Sequence, residues 1–216
     1  VESIRRARRP LILAGNGVIR GHACEEVRRF ARQLEIPVLH TFMAKGVMPD
    51  SDPLSLYTLG LQARDYSASV MERADVVIAL GYDFVEYAPC FWNPDRNKRI
   101  VHIDLSPAEV DEHYIVDVGL LGDIRVSLEQ IAPNLAPFSA EWVREARATV
   151  VNGFASELPG HSSGPIRPSS WPRVRALLGT SAFIAGRYSE GRMGHPLSAP
   201  TRAVRSEPCP KRCSRA

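Results

Sequence analysis

No apolar stretch of this sequence approaches the ~18 residues that a helix needs to cross a bilayer, which excludes a helical membrane span. Cysteine is scarce. Cys24, Cys90, Cys209 and Cys213 are too few and too scattered for a disulfide framework, and no stretch resembles a secretory signal. The expectation is therefore a reducing, cytoplasmic setting. A P-loop and a His-Glu-x-x-His zinc motif are also missing. The first residue is Val1 rather than methionine, so the natural start is expected to lie upstream.

Acidic residues are missing from one end. Residues 160–216 carry ten Lys/Arg and two Asp/Glu, a net charge of +8, whereas residues 1–159 carry 17 and 22, a net of −5. The basic end also places Pro, Ser or Gly at 22 of its 57 positions. The division expected is a folded domain over 1–159 followed by a poorly structured tail over 160–216. Nucleic acid is not the expected partner. The first part is mildly acidic, and the tail offers only Trp171, Phe183 and Tyr188 for base stacking.

What is present in 1–159 is an alternation of short apolar runs and amphipathic stretches. Arg9–Gly15 holds a short run that begins at a proline, ends at a glycine and is apolar on both faces, as a strand buried inside a parallel sheet is. Ala23, Val27, Phe30, Ala31 and Leu34 recur at helical spacing. Ile36–Leu39, Asp75–Gly81, Arg99–Asp104 and Val116–Leu121 read as further strands. The segment with Gly46, Pro49 and Pro53 reads as a loop, followed by a helix near 65–73. Ser106-Pro107-Ala108-Glu109 has the form of a helix start with Ser106 as N-cap; Asp123 caps a helix to Ile131, and Glu141–Ala155 is one more. The pattern predicts an α/β fold, a Rossmann-like parallel sheet with helices on both faces.

Ligands of open α/β sheets bind beyond the carboxyl ends of the strands. The candidate cofactor-binding residues are therefore Gly15, Asn16 and Gly17 after the first strand, Gly81 and Asp83 after a central one, and Asp104 and Ser106 after the next. The dinucleotide fingerprint is incomplete. Its third glycine position is Arg20, and the second strand ends on His40 rather than on an acid for a ribose. A tight turn needing positive φ is the favoured account of Gly15–Gly17. His102 and Asp104 share a strand face, but hydrogen bonding suits such a pair better than a metal. Asp83, Glu86 and Tyr87 share a loop with Phe91 and Trp92, which could line a pocket or pack against a neighbour.

Gly81-Tyr82-Asp83-Phe84-Val85-Glu86-Tyr87-Ala88-Pro89-Cys90-Phe91-Trp92-Asn93 and Arg99-Ile100-Val101-His102-Ile103-Asp104-Leu105-Ser106-Pro107-Ala108-Glu109-Val110 together resemble the central domain of thiamine-diphosphate-dependent enzymes of the acetolactate synthase group. Ala44-Lys45-Gly46-Val47, Asp52-Pro53-Leu54-Ser55-Leu56, Gly60-Leu61 and Gly122-Asp123-Ile124 match in the same order. The Gly-Tyr-Asp…Glu-Tyr…Trp-Asn loop is most similar to the catabolic, flavin-independent branch.

The resemblance implies a six-stranded Rossmann-like domain set between two others. One of those supplies the glutamate that activates thiamine; the other supplies a Gly-Asp-Gly…Asn motif for Mg²⁺ and the diphosphate. It also implies a homo-oligomeric parent that joins two molecules of a 2-oxo acid such as pyruvate into 2-acetolactate with loss of CO₂, without FAD. No residue of this chain is carried over as catalytic, since Gly122-Asp123-Ile124 departs from Gly-Asp-Gly at its third position. The expected function is that of a fragment inactive alone; a free-standing nucleotide-binding module and a non-functional truncated product are the alternatives. Gly164-Pro165-Ile166-Arg167-Pro168 resembles a linker to the third domain, and the Arg/Ser/Pro-rich sequence after it reads as disordered or out of frame.

Overall fold

Residues 1–60 and 66–156 are described in the computed structural model. The readings made above for 160–216 lie outside them. Short apolar runs bounded by proline and glycine become the inner strands of one parallel sheet. β1 (Pro10–Ala14) and β4 (Val76–Leu80) are buried at every residue, as their apolar character on both faces requires. The sheet has six strands in the order β3-β2-β1-β4-β5-β6, with β2 at Val38–His40, β3 at Ser55–Thr58, β5 at Arg99–Asp104 and β6 at Val116–Leu121. Every pairing is parallel.

Period-two alternation along the strands sends side chains to two separate cores. Ile12, Ala14, Ile78, Leu80, Val101 and Ile103 face one layer, built from α1 (Glu2–Arg5), α2 (Asn16–Arg20), α3 (Cys24–Leu34) and α6 (Ile124–Ile131). Leu11, Leu13, Leu39, Val77, Ala79 and Ile100 face the other, built from α4 (Tyr66–Arg73), α5 (Pro89–Trp92) and α7 (Ala140–Ser156). α3 buries Val27, Phe30, Ala31 and Leu34, the positions its spacing singled out. Asp123 caps α6 as expected, accepting the N–H groups of Arg125 and Val126. α7 is pinned at its start, where the Trp142 indole donates to the Pro10 carbonyl at 2.8 Å. No helix among the described residues is long and apolar enough to cross a membrane.

Three local expectations are corrected. Part of the segment read as a loop is β3, an edge strand whose ladder to β2 shifts register, with Tyr57 at a left-handed φ of 64°. Its ring lies 4.4 Å beneath the Arg147 guanidinium and edge-on to Phe154, and Arg147 also holds the carbonyls of Ser55 and Asp50. The helix proposed at Ser106 does not form. Residues 105–110 are irregular; the Asp104 carboxylate takes the N–H groups of Leu105 and Ser106 instead, a local turn that outcompetes the cap. Third, Gly15 adopts φ −105° and precedes the one-turn helix α2, so positive φ is not what demands glycine there.

Candidate functional site

β1 runs outward through β2 to β3, while β4, β5 and β6 lie on its other side, so the strand order reverses between β1 and β4. The structure brings two of the three predicted triplets into contact at that reversal. Gly15 donates its N–H to the Leu80 carbonyl at 2.9 Å, and Gly17 donates to the Gly81 carbonyl at 2.8 Å. A Cβ on Gly15 would lie 2.3 Å from the Gly81 carbonyl oxygen, and one on Gly17 2.5 Å from the Gly81 Cα. Gly81 itself has φ 55°, and its Cβ would lie 2.6 Å from the Val18 nitrogen. The glycines let two backbone turns touch. They leave no gap between those turns.

The carboxylate of Glu86 closes the arrangement. Its two oxygens are each 3.0 Å from the Asn16 nitrogen, Oε1 accepts from the Asp83 N–H at 3.2 Å, and Oε2 accepts from the Thr41 hydroxyl. Three loops, after β1, β2 and β4, thus converge on one anion. Sequence reasoning placed Glu86 only in a loop and did not connect it to Asn16 or Thr41. The signal available was its position five residues after the glycine that ends β4, within reach of the β1 turn. Asp83 is exposed and accepts the Val85 N–H, while Asp104 lies one strand further on. The Asp104 carboxylate is spent on its own turn and its carbonyl on the Gly122 N–H, and Ser106 is exposed.

Behind the β4–β5 loop lies an aromatic cluster. The Trp92 indole donates to the Tyr82 hydroxyl at 3.1 Å, and that hydroxyl donates to the Tyr87 carbonyl at 2.5 Å. Tyr114 stacks edge-on against Trp92 and Phe84 and shares a 2.8 Å hydrogen bond with Nδ1 of His102. Burial pushes the Tyr82 and Tyr114 phenols well above their usual range, so both remain neutral. Of the two alternatives left open for this loop, a pocket or packing against a neighbour, the structure shows at Trp92 neither but a core: Trp92 is fully buried, and the half-exposed Phe91 stacks on Tyr87.

His102 serves hydrogen bonding, and its Nε2, like that of His40, is buried without a partner among the described residues. Burial lowers the pKa of both imidazoles. Asp104 opposes the shift at His102; the Thr41 carbonyl and Asp50 oppose it at His40. The unfolded chain therefore binds more protons than the fold below the ordinary histidine pKa of ~6.5, so stability must fall as pH drops through that value. The expected loss is at most ~1.4 kcal/mol per pH unit for each histidine. Urea midpoints at pH 7.5, 6.5 and 5.5 should decline in that order, and less steeply in a His102→Gln variant. Equal midpoints would contradict the assignment.

Among the described residues, no three His, Cys, Asp or Glu side chains come together as metal ligands. The crevice carboxylates Glu86 and Asp104 are committed to backbone N–H groups. A diphosphate placed at this edge would meet the Glu86 and Asp104 carboxylates instead of free N–H donors.

A parallel six-stranded sheet covered on both faces, with glycine turns meeting at the reversal of strand order, defines a Rossmann-like α/β domain. Residues 1–131 match the family described as "Thiamine pyrophosphate enzyme, central domain". The chain belongs to that family. It is 33% identical over 136 residues to the probable acetolactate synthase large subunit of Methanococcus aeolicus, covering 62% of this chain and 23% of that protein. It is 32% identical over 132 residues to the acetolactate synthase of Bacillus subtilis, covering 61% and 23%. Similarity to the large subunit from Corynebacterium glutamicum, 32% over 177 residues, extends to 76% of this chain and 28% of that one. The chain spans about a quarter of the length of these curated relatives.

Proposed function

We propose that this chain is the central-domain portion of an acetolactate-synthase-like, thiamine-diphosphate-dependent enzyme, and that it contributes a scaffold rather than catalytic groups. The intact parent would decarboxylate a 2-oxo acid such as pyruvate and join the product to a second molecule, as a cytoplasmic homo-oligomer using thiamine diphosphate with Mg²⁺. In such an enzyme the cofactor carries the bond making and breaking, and the protein holds and orients it. The observation that carries the reading is the β4–β5 segment. Of its seven motif residues, Gly81, Tyr82, Glu86, Trp92 and Asn93 serve backbone packing, loop tying or core hydrogen bonds, and Tyr87 accepts the Tyr82 hydroxyl at its carbonyl and stacks on Phe91. Asp83 is exposed and accepts the Val85 N–H of its own turn.

The same segment supports independence from FAD, with Gly15, Asn16, Gly17, Gly81, Asp83, Asp104 and Ser106 as the edge any nucleotide would have to use. Calorimetric titration of the chain with thiamine diphosphate and Mg²⁺ tests the scaffold role. The expected result is no saturable heat; a dissociation constant in the micromolar range or tighter would place cofactor-binding groups within this chain.

A further inference from the structure

The crevice at which doubly wound sheets collect their ligands already holds an anion in this chain. We propose that the Glu86 carboxylate is that crevice's resident anion, holding the donors a nucleotide phosphate would need in a crevice that the touching glycine turns also close. This rests on the flavin-independent reading above and names the two features, one electrostatic and one steric, responsible for it.

The donors a phosphate would need are engaged inside the protein. Asn16 N–H, Asp83 N–H and the Thr41 hydroxyl point to Glu86. Gly15 N–H goes to the Leu80 carbonyl, Gly17 N–H to the Gly81 carbonyl and Gly81 N–H to the Ile103 carbonyl. Leu105 N–H and Ser106 N–H go to Asp104. α2 is a single turn, so these individual hydrogen bonds, drawn from three loops, hold the carboxylate rather than any helix field. Glu86 is tethered five residues from Gly81, so its effective concentration at the donors is on the order of millimolar or more. An incoming phosphate must displace it and then sit beside its negative charge. The steric barrier is independent of the charge, because the Gly15, Gly17 and Gly81 turns already touch backbone to backbone.

The test is a thermal melt of the full chain as wild type, Glu86→Gln and Glu86→Ala, in sodium formate against sodium chloride at equal ionic strength. Calorimetry with ADP and FAD accompanies it. Formate is the probe because it is the smallest carboxylate that could refill the vacated place. Glu86→Ala is expected to melt at least ~5 °C below wild type and to recover more than half of that loss in formate. Wild type and Glu86→Gln, whose place is filled, should not respond. If Glu86→Ala is unfolded in chloride, formate is expected to fold it. ADP and FAD should bind none of the three more tightly than roughly 10 μM. Tighter binding of either to wild type would overturn both this inference and the flavin-independent reading. Failure of formate to act on Glu86→Ala, with no nucleotide binding to wild type, would overturn the inference alone.

Discussion

A Gly81→Val variant is expected to lose more than ~4 kcal/mol of stability and to be recovered largely unfolded. Two costs add at this position. Valine at φ 55° is a backbone outlier that costs ~1–3 kcal/mol. Its Cβ would also lie 2.5 Å from the Gly17 Cα and 2.6 Å from the Val18 nitrogen, so β1 and β4 would have to separate at their carboxyl ends. Neither obstacle is the far end of a flexible side chain that could swing aside. Gly46 is the natural control, with φ 99° and no heavy atom within 4 Å of its Cβ position. Gly46→Val should carry only the conformational cost and fold. Circular dichroism melts of the two variants side by side check the difference; equal stability would show that the β1 and β4 turns are not in contact.

Trp92→Ala is expected to cost ~3–5 kcal/mol. The residue is buried at 1% exposure, edge-on to both Tyr82 and Tyr114, and its indole donates to the Tyr82 hydroxyl. Truncation empties the centre of the aromatic cluster and unpins the β4–β5 loop, which also carries Glu86. In a domain of this size the melting temperature should fall by roughly 8–15 °C. Trp92→Phe keeps most of the packing and removes only the indole donor, a loss of about 1 kcal/mol. A fall of less than ~3 °C for Trp92→Ala would mean that this loop is not part of the cooperative core.

The sequence and the structure agree where a single physical signal dominates. Leu11–Ala14 and Val77–Leu80 are apolar on both faces because both faces are covered, and that pattern has few competing explanations. Asp123 and the helix after it were legible because cap and periodicity point the same way. β3 was not, since a bulge at Tyr57 breaks the period-two pattern and the ring is satisfied by Arg147 and Phe154, residues some 90 or more positions away. At Ser106 two local signals competed. The cap-like Ser-Pro-Ala-Glu run lost to the turn imposed by Asp104, which lies two residues earlier and reaches the same N–H.

The candidate site was legible in placement and not in chemistry. Strand ends marked the carboxyl edge, and the structure joins Gly15–Gly17 to Gly81–Asp83 there through a shared carboxylate. What those glycines do could not be read locally, because close approach depends on which strand lies alongside. Glu86 belongs to the same class of long-range fact: its partners Asn16 and Thr41 are 70 and 45 residues away.

The proposed scaffold role leaves this chain with no catalytic capacity of its own. It is tested most directly by incubating the purified chain with thiamine diphosphate, Mg²⁺ and carboxyl-labelled pyruvate and measuring released CO₂ and acetolactate. Neither product should rise above the protein-free background over many hours, whatever the chain concentration. Release of labelled CO₂ in proportion to the chain, abolished by heat denaturation, would contradict it.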